Sequence, residues 1–416
     1  MNTQNILSPT NARSEFYNIL KAVNENHKPI IINSSKDENN AVIIGKEDWD
    51  NIQEMLNLEY SNTVNKSHKN KAETLYDAIE RQAVVASYGN DNSSIWGKRI
   101  ANDTVEQGHR VFHIVVNDFG YQVDNENDEV FDLSKGYLNP IEMFGDIERD
   151  KDKKVQIFNA NLKKISQMIK LMSGRTLSLE QKQMLEEALV NFYLQKRMWT
   201  QRPEKYPDEL RIYGLKSETI PKMGAFLTQL TDLLLKTGNR KDYIESYIRD
   251  ARHLERVSKN ILNRYREIFN TKTTLPDPRT IEKTQIYYDL TELSDDKEVM
   301  EAQFLNVFNY ILSSVESKDV IMVHGLDNIT TETLSFSKSL LNNAIEYGVK
   351  LVYLFDTIGG NNENESGDMK YANVFNTEGI LYQDINTDFG FKTLGTMNLR
   401  DIVLYQEKIE KSLGSE

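Results

Sequence analysis

The stretch Ala83-Val84-Val85-Ala86-Ser87-Tyr88-Gly89-Asn90-Asp91-Asn92-Ser93-Ser94-Ile95-Trp96-Gly97-Lys98 decides how the rest of the chain is read. Ala83 to Tyr88 is an apolar run closed by glycine, asparagine and aspartate, the pattern of a buried strand. Ile95 to Glu106 then reads as a helix, and Arg110 to Val116 as a second strand. Strand, helix, strand predicts a parallel sheet, because parallel neighbours need a crossover and a helix supplies it. Strand-like runs at Gln285–Leu290, Val320–Val323 and Val349–Phe355 extend the sheet, with a helix from Asp296 to about Ser314 between the first two. From 155 to about 270 the pattern is nearly all helical. There Ser178 and Gln181 form a capping box ahead of the apolar stripe Leu185, Leu189, Phe192 and Tyr193. Residues 73–416 are therefore expected to be an α/β body with a long helical insertion. The low-complexity segment 359–367 is expected to be a loop.

Toward the N-terminus, residues 59–72 are polar and aperiodic, a linker by composition. Residues 1–58 form a pattern of their own. Ser8 suits an N-cap and Pro9 the first helical position. Ala12, Phe16, Ile19, Leu20 and Val23 follow at helical spacing. Pro29 to Ile32 and Ala41 to Ile44 read as an antiparallel pair of buried strands, and Lys46 to Leu58 as a second helix carrying Trp49, Ile52, Met55 and Leu56. Phe16 and Trp49 are expected in the core. A unit this small buries little surface alone, and dimerisation is the usual remedy.

Composition narrows the chemistry. The 416 residues carry a formal charge of −13, so any DNA contact must come from a local patch, not from the overall field. Cysteine is absent, which removes disulfides, thiolate zinc sites and cysteine nucleophiles. None of the six histidines forms a His-Glu-x-x-His pattern. The first ten residues lack a basic start and an apolar core, so no signal peptide is expected. No apolar run reaches the roughly 18 residues of a membrane helix. The expectation is a soluble, cytoplasmic protein without direct membrane insertion.

Ser8-Pro9-Thr10-Asn11-Ala12-Arg13-Ser14-Glu15-Phe16, with the segments 24–32 and 40–49, resembles the Phd/YefM antitoxins. The resemblance covers about the first 58 residues. It implies a homodimer that binds operator DNA and a following tail that holds a cognate toxin, commonly a ribonuclease. Arg13 corresponds to the family's phosphate-contacting arginine, and Lys36 is a weak substitute for the basic residue of the hairpin turn, lacking arginine's fork. Residues 1–60 hold five basic and nine acidic side chains, which works against DNA binding unless a dimer brings two Arg13 together.

From about Ala72 onward the chain resembles the motor ATPases of conjugative type IV secretion systems. The residues carrying this are Gly136-Tyr137-Leu138-Asn139-Pro140-Ile141, Leu177 to Trp199, Asp289-Leu290 with Glu301-Ala302-Gln303, and Phe389-Gly390-Phe391 with Gly395-Thr396-Met397. The resemblance implies a RecA/HerA-like core with a helical insertion, in agreement with the pattern above. The chemistry does not follow. A P-loop needs Gly-x4-Gly-Lys-Ser/Thr, its lysine on the phosphates and its hydroxyl on magnesium. Counted from Gly89, those three places hold Ser94, Ile95 and Trp96, and the frame ending Gly97-Lys98 fails at Arg99 and Asn92. The acidic pair expected after Val320–Val323 is replaced by His324-Gly325, and the polar sensor after Val349–Phe355 would fall near Asp356 and Thr357.

The remaining candidates are His109 and His113, which period two puts on one strand face as metal ligands or structural residues. The arginines 249, 252, 256, 264 and 266, with nearby acids, read as a salt-bridged helix face. The sequence therefore predicts an α+β antitoxin-like domain fused to an inactive motor-like scaffold without a cofactor. Its partners would be operator DNA, a toxin and a conjugative motor ATPase. A structural component of a conjugation apparatus and a working ATPase using Lys98 stay as alternatives.

Overall fold

The computed structural model describes residues 6–33, 40–46, 48, 76, 79, 82–87, 92–118, 120, 121, 123, 126–145, 151–211, 214–239, 244–341, 348–354, 379–383 and 392–394. The chain divides into two compact units, Met1–Glu73 and Thr74–Glu416. The expected linker 59–72, the second N-terminal helix beyond Asp48 with Trp49, and the segment 355–378 with Asp356, Thr357 and the low-complexity run lie outside the described residues.

In the first unit, strand β1 (Ile6–Leu7) pairs in parallel with β2 (Ile30–Ile32), which pairs antiparallel with β3 (Ala41–Ile43). The two-residue β1 was not expected from the sequence. Ser8 caps helix α1 (Pro9–Ser14), its Oγ accepting from the Asn11 amide at 3.3 Å. The single expected helix is broken: Glu15, at φ −111° and ψ 18°, ends α1 before α2 (Phe16–Asn26) begins. The break changes which residues face inward. Ala12, Ile19 and Val23 form the core with Leu7, Ile30, Ile32 and Ile43. Phe16, expected inside, is 48% exposed, and Ile31 and Val42, opposite each other across the β2–β3 pair, are 41% and 55% exposed. Period two places alternate residues of a strand on opposite faces, so β2 and β3 are half-buried rather than buried.

In the second unit the strands are β4 (Gln82–Ser87), β5 (Val111–Val115), β6 (Asp128–Asp132), β7 (Gln285–Asp289), β8 (Val320–His324), β9 (Lys350–Leu354), β10 (Gly379–Gln383) and β11 (Lys392–Leu394). They form one sheet in the order β11-β10-β4-β9-β8-β5-β7-β6. All neighbours are parallel except the β10–β11 pair. The helices are α3 (Asn92–Glu106), α4 (Lys154–Met172), α5 (Leu179–Gln195), α6 (Met223–Gly238), α7 (Glu245–Arg264), α8 (Arg266–Phe269), α9 (Lys297–Ser314) and α10 (Thr331–Leu340). The capping box on α5 is present, and its apolar stripe is buried.

Alternation along the strands separates the two sheet faces. Phe112, Ile114, Ile286, Tyr288, Ile321, Val323, Leu351 and Tyr353 join one continuous core with the helical insertion and α9. Helix α3 packs on the other face, across β4, β5, β8 and β9. The segment Gly136–Ile141 is clamped between sheet and insertion. Gln303 Nε2 donates to the carbonyls of Leu133 and Gly136 at 3.2 Å, Asn139 Nδ2 to Pro221 O at 2.8 Å, and Lys164 Nζ to Pro140 O at 2.8 Å. Lys164 is fully buried. Loss of hydration lowers its amine to about 7, although the nearby Glu142 charge works the other way.

Candidate functional site

In parallel sheets of this kind ligands sit at the carboxyl ends of the strands, so the ends of β4 and β8, with the start of α3, frame the place to examine. From Gln82 to Gly97 the chain contains neither lysine nor arginine. Gly89 lies outside the described residues, and Ser94, Ile95 and Trp96 fall in the first turns of α3, where only the backbone is described. Lys98 follows, exposed on α3.

Gly97 allows α3 to lie close to the sheet. A Cβ there would stand 3.0 Å from Leu354 Cδ1 and 3.4 Å from His324 Cε1. His324 thus fills the space under the helix at the end of β8. Gly325 follows with φ 74°, a left-handed turn that glycine adopts without strain.

His324 is not alone. Its Nε2 lies 2.9 Å from His113 Nδ1, and His113 Nε2 lies 3.2 Å from Gln285 Oε1. The Tyr287 hydroxyl donates to the same oxygen at 3.3 Å. With Gln285 as acceptor, His113 carries its proton on Nε2. Its Nδ1 then accepts the Nε2–H of His324, a tautomer pair assigned by the network. Both rings are buried in apolar surroundings, which disfavours the charged form. His113 is lowered to about 3 by burial, the Gln285 contact opposing only in part. His324 is lowered well below its ordinary value by burial and by the neighbouring His113. The site therefore presents two neutral imidazoles satisfying each other.

The pair continues as a column of rings. His113 meets His324 edge to edge through that hydrogen bond, ring centroids 5.2 Å apart, and stacks on Tyr287 at 4.2 Å, which in turn stacks on Tyr121 at 4.6 Å. The column ends where the Tyr121 hydroxyl donates to Asp289 Oδ2 at 2.6 Å. Register explains the alignment: His113 is opposite Tyr287 on β7 and opposite Met322 on β8, two residues before His324. The expected His109–His113 face is corrected. β5 begins at Val111, so His109 precedes the strand and packs on Tyr76 at 5.1 Å instead. Among the described residues, no group of three or more His, Asp or Glu side chains is arranged to hold a metal ion.

A second polar constellation joins α9, α10 and the turn after α4. Fully buried Glu301 accepts from Arg175 Nη2 at 2.8 Å, from the Thr330 amide at 3.1 Å, from Thr330 Oγ1 at 2.8 Å and from Thr333 Oγ1. Glu332 accepts from Lys170, from Gln167 Nε2 at 3.0 Å and from Arg175 Nη1 at 3.2 Å. Burial alone would raise the Glu332 carboxyl. The hydrogen bonds from Lys170 and Gln167, with the Lys170 and Arg175 charges, outweigh it and hold the group at about 2.

The arginine-rich face of α7 also departs from expectation. Lys259 pairs with Glu255, and Arg264 reaches Asp296 at 3.9 Å. Arg249, Arg252 and Arg256 meet no carboxylate among the described residues, because Asp250 instead accepts from Gln181 Nε2 at 2.9 Å. In the first unit Arg13 is exposed in the last turn of α1, and Lys36 lies outside the described residues.

Comparison with known proteins separates along the same two units. Residues 4–75 match the family described as antitoxin Phd_YefM of type II toxin–antitoxin systems. No curated protein matches the chain in sequence. Among solved structures, VirB4 of Thermoanaerobacter pseudethanolicus is similar at 14% identity and a TM-score of 0.54, covering 74% of this chain and 79% of that one. The bacterial conjugative coupling protein TrwB is also found, at 12% identity and a TM-score of 0.43, covering 72% of this chain and 70% of that one. The chain thus carries a Phd/YefM antitoxin domain at its N-terminus, followed by a body with the fold of VirB4.

Proposed function

We propose that this chain is a binding protein, an antitoxin-type module fused to a motor-like body that does not hydrolyse nucleotide. The observation carrying the second half is the His324–His113 pair. In this reading it takes the place of the metal-binding and water-activating carboxylates of a P-loop ATPase, and the chain from β4 into α3 brings no cation until exposed Lys98. Loss of such groups removes several kcal/mol of transition-state stabilisation each. The purified chain is expected to show no magnesium-dependent ATP hydrolysis above background. Hydrolysis that disappears in Lys98→Ala would overturn the reading.

The first half rests on the Phd/YefM match and on the apolar residues the domain leaves uncovered. Phe16, Tyr17 and Leu20 on α2 are 48%, 86% and 37% exposed, and Ile31 and Val42 stand out from the small sheet. Covering such residues in a homodimer offsets the small core. In this reading the dimer places two Arg13 on operator DNA, and residues 59–82 hold a cognate toxin. A gel shift with the DNA upstream of the gene and a pull-down of the co-expressed neighbouring toxin frame test it. Unchanged DNA mobility together with no toxin recovered would end it.

The VirB4-like fold favours a second reading, in which the body is a structural or partner-docking component of a conjugation apparatus. Co-purification with secretion subunits, and with no toxin, would select it.

A further inference from the structure

Two buried groups in the body are each one bond short. Lys164, on α4, is fully buried, and its Nζ donates to Pro140 O at 2.8 Å and to Asn306 Oδ1 of α9 at 3.1 Å. Both acceptors are neutral. An ammonium carries three donors and a neutral amine two, so this seat fits the amine and leaves the ammonium one acceptor short. Glu142, two residues past Pro140, is 7% exposed. Its Oε1 accepts from Ser217 Oγ at 3.1 Å, while its Oε2 is buried without a hydrogen-bond partner. Buried polar atoms are almost always paired, and a bare carboxyl oxygen is costly to leave so. The missing acceptor and the spare oxygen lie within electrostatic reach of each other, since the Glu142 charge acts on Lys164. The other ionisable side chains around them do not supply the bond. Tyr193 of α5 donates to Ile141 O and Tyr310 of α9 to Pro276 O, and burial raises both phenols, which keeps them neutral. The Glu218 charge opposes that of Glu142, and Lys272 donates to the Glu218 carbonyl. The Phe144 ring faces Nζ at 5.7 Å.

We propose that Lys164 and Glu142 are a proton-operated latch on the helical insertion: a proton taken from solvent onto Nζ closes an ion pair with Glu142 Oε2 and draws the carboxylate off Ser217. The consequence follows from what Ser217 holds. It opens the turn Ser217–Thr219, which runs into Pro221 just before α6. The Pro221 carbonyl accepts from Asn139 Nδ2, and the Asn139 amide donates to Thr273 Oγ1. One end of the latch therefore sits on α4, and the other on the turn that fastens α6 to the segment 136–141. Burial holds the Lys164 amine at about 7, so the latch works near neutrality, open above and closed below. A local change of charge that biases a two-state element is the general form of such switches. The inference stands on the body's own residues and depends on neither the antitoxin reading nor the state of the nucleotide site.

The test uses the full chain with no ligand. Hydrogen–deuterium exchange is read by mass spectrometry at pH 6.0 and 8.0, and each rate is divided by the intrinsic rate at that pH. In the wild type, protection of residues 214–222 is expected to be at least about fivefold lower at pH 6.0. It should not change with pH in Lys164→Met, nor in Glu142→Gln, which keeps the shape of the carboxyl. Ser217→Ala should show the lower protection at both pH values. Urea unfolding supplies a second reading. The folded amine loses its proton near about pH 7 and the unfolded one near about 10.4. Between those values the folded chain binds fewer protons, so the folding constant rises with pH, by up to about tenfold per unit. Lys164→Met should lose that rise between pH 7 and 9. The inference is overturned if wild-type protection does not change with pH, or if either Lys164→Met or Glu142→Gln changes as the wild type does. A rise in the folding constant with no change of protection overturns it too, because Lys164 is then a buried amine that moves nothing. If Lys164→Met does not fold, Glu142→Gln decides alone.

Discussion

The two sheets of this molecule are finished to different degrees. The large sheet is covered on one face by the insertion and α9, and the end of β8 under α3 is filled by His324. The small sheet has one face on α1 and α2, while Ile31 and Val42 stand 41% and 55% exposed on the other. The second unit leaves its exposed apolar side chains on the helical insertion instead, Leu179 at 68%, Ile244 at 77% and Leu233 at 48%. A sheet that leaves apolar side chains outside is built to be completed by something else. The difference teaches where to look for each unit's partners: on the sheet face in the first, on the helical insertion in the second.

The comparison is broken most severely by opening the closed unit. Glu301→Ala leaves Arg175, Thr330 and Thr333 without their shared acceptor. Removing one partner of a buried pair costs about 3–5 kcal/mol. Differential scanning calorimetry should show the body's transition falling while that of residues 1–73 stays in place. A body transition unmoved within about 1 kcal/mol would contradict the closed-core account.

The open unit is tested next. Ile31→Lys/Val42→Glu places charges where the dimer is expected to bury apolar surface. Burial of one such side chain contributes about 1.5–3 kcal/mol, so the dimer dissociation constant should rise at least about 100-fold. Sedimentation equilibrium reads this directly, and an unchanged constant would show that the uncovered face is not the contact.

A third test uses pH. Neutral, buried His113 and His324 stay unprotonated in the fold well below the pH at which they would charge in the unfolded chain. Their contribution is therefore fully present above about pH 6.5 and is lost as pH falls toward about 3, by up to about 1.4 kcal/mol per unit for each histidine. Stability of the body measured by urea unfolding at pH 6 and pH 4.5 should fall steeply, and His113→Gln/His324→Met should flatten that fall. A slope shared equally by wild type and variant would assign it to carboxylates instead.

The smallest effect sharpens the contrast at a surface feature. Ser178→Ala removes half of the α5 capping box and should cost about 1 kcal/mol in the body alone, again read by calorimetry.

Legibility in the sequence followed the range of the interaction. The strand at Ala83, the capping box and the stripe of α5 were readable because their causes lie within a few residues. β6, Asp-Glu-Val-Phe-Asp, was missed because an edge strand with charged ends lacks a continuous apolar run. The His113–His324 contact joins residues 211 positions apart and depends on β8 lying beside β5, an order no linear pattern contains. One signal was available: a histidine inside each of two otherwise apolar strands, Val111–Val115 and Val320–His324. Phe16 was misplaced because the periodicity was extended through Glu15, where the helix stops. The α7 arginines read as paired because acids stand near them in sequence, yet Asp250 bonds Gln181 and Glu255 bonds Lys259.

The ring column has a spectroscopic consequence. The imidazole of His113 lies nearly parallel to Tyr287, 6° between planes, with His324 hydrogen-bonded at its edge. Circulating electrons in the Tyr287 ring shield the carbon-bound protons of His113, which should resonate upfield of those of an ordinary histidine. A proton–carbon correlation spectrum then carries a built-in label at the centre of the body, one that would move if any molecule displaced His324 from beneath α3.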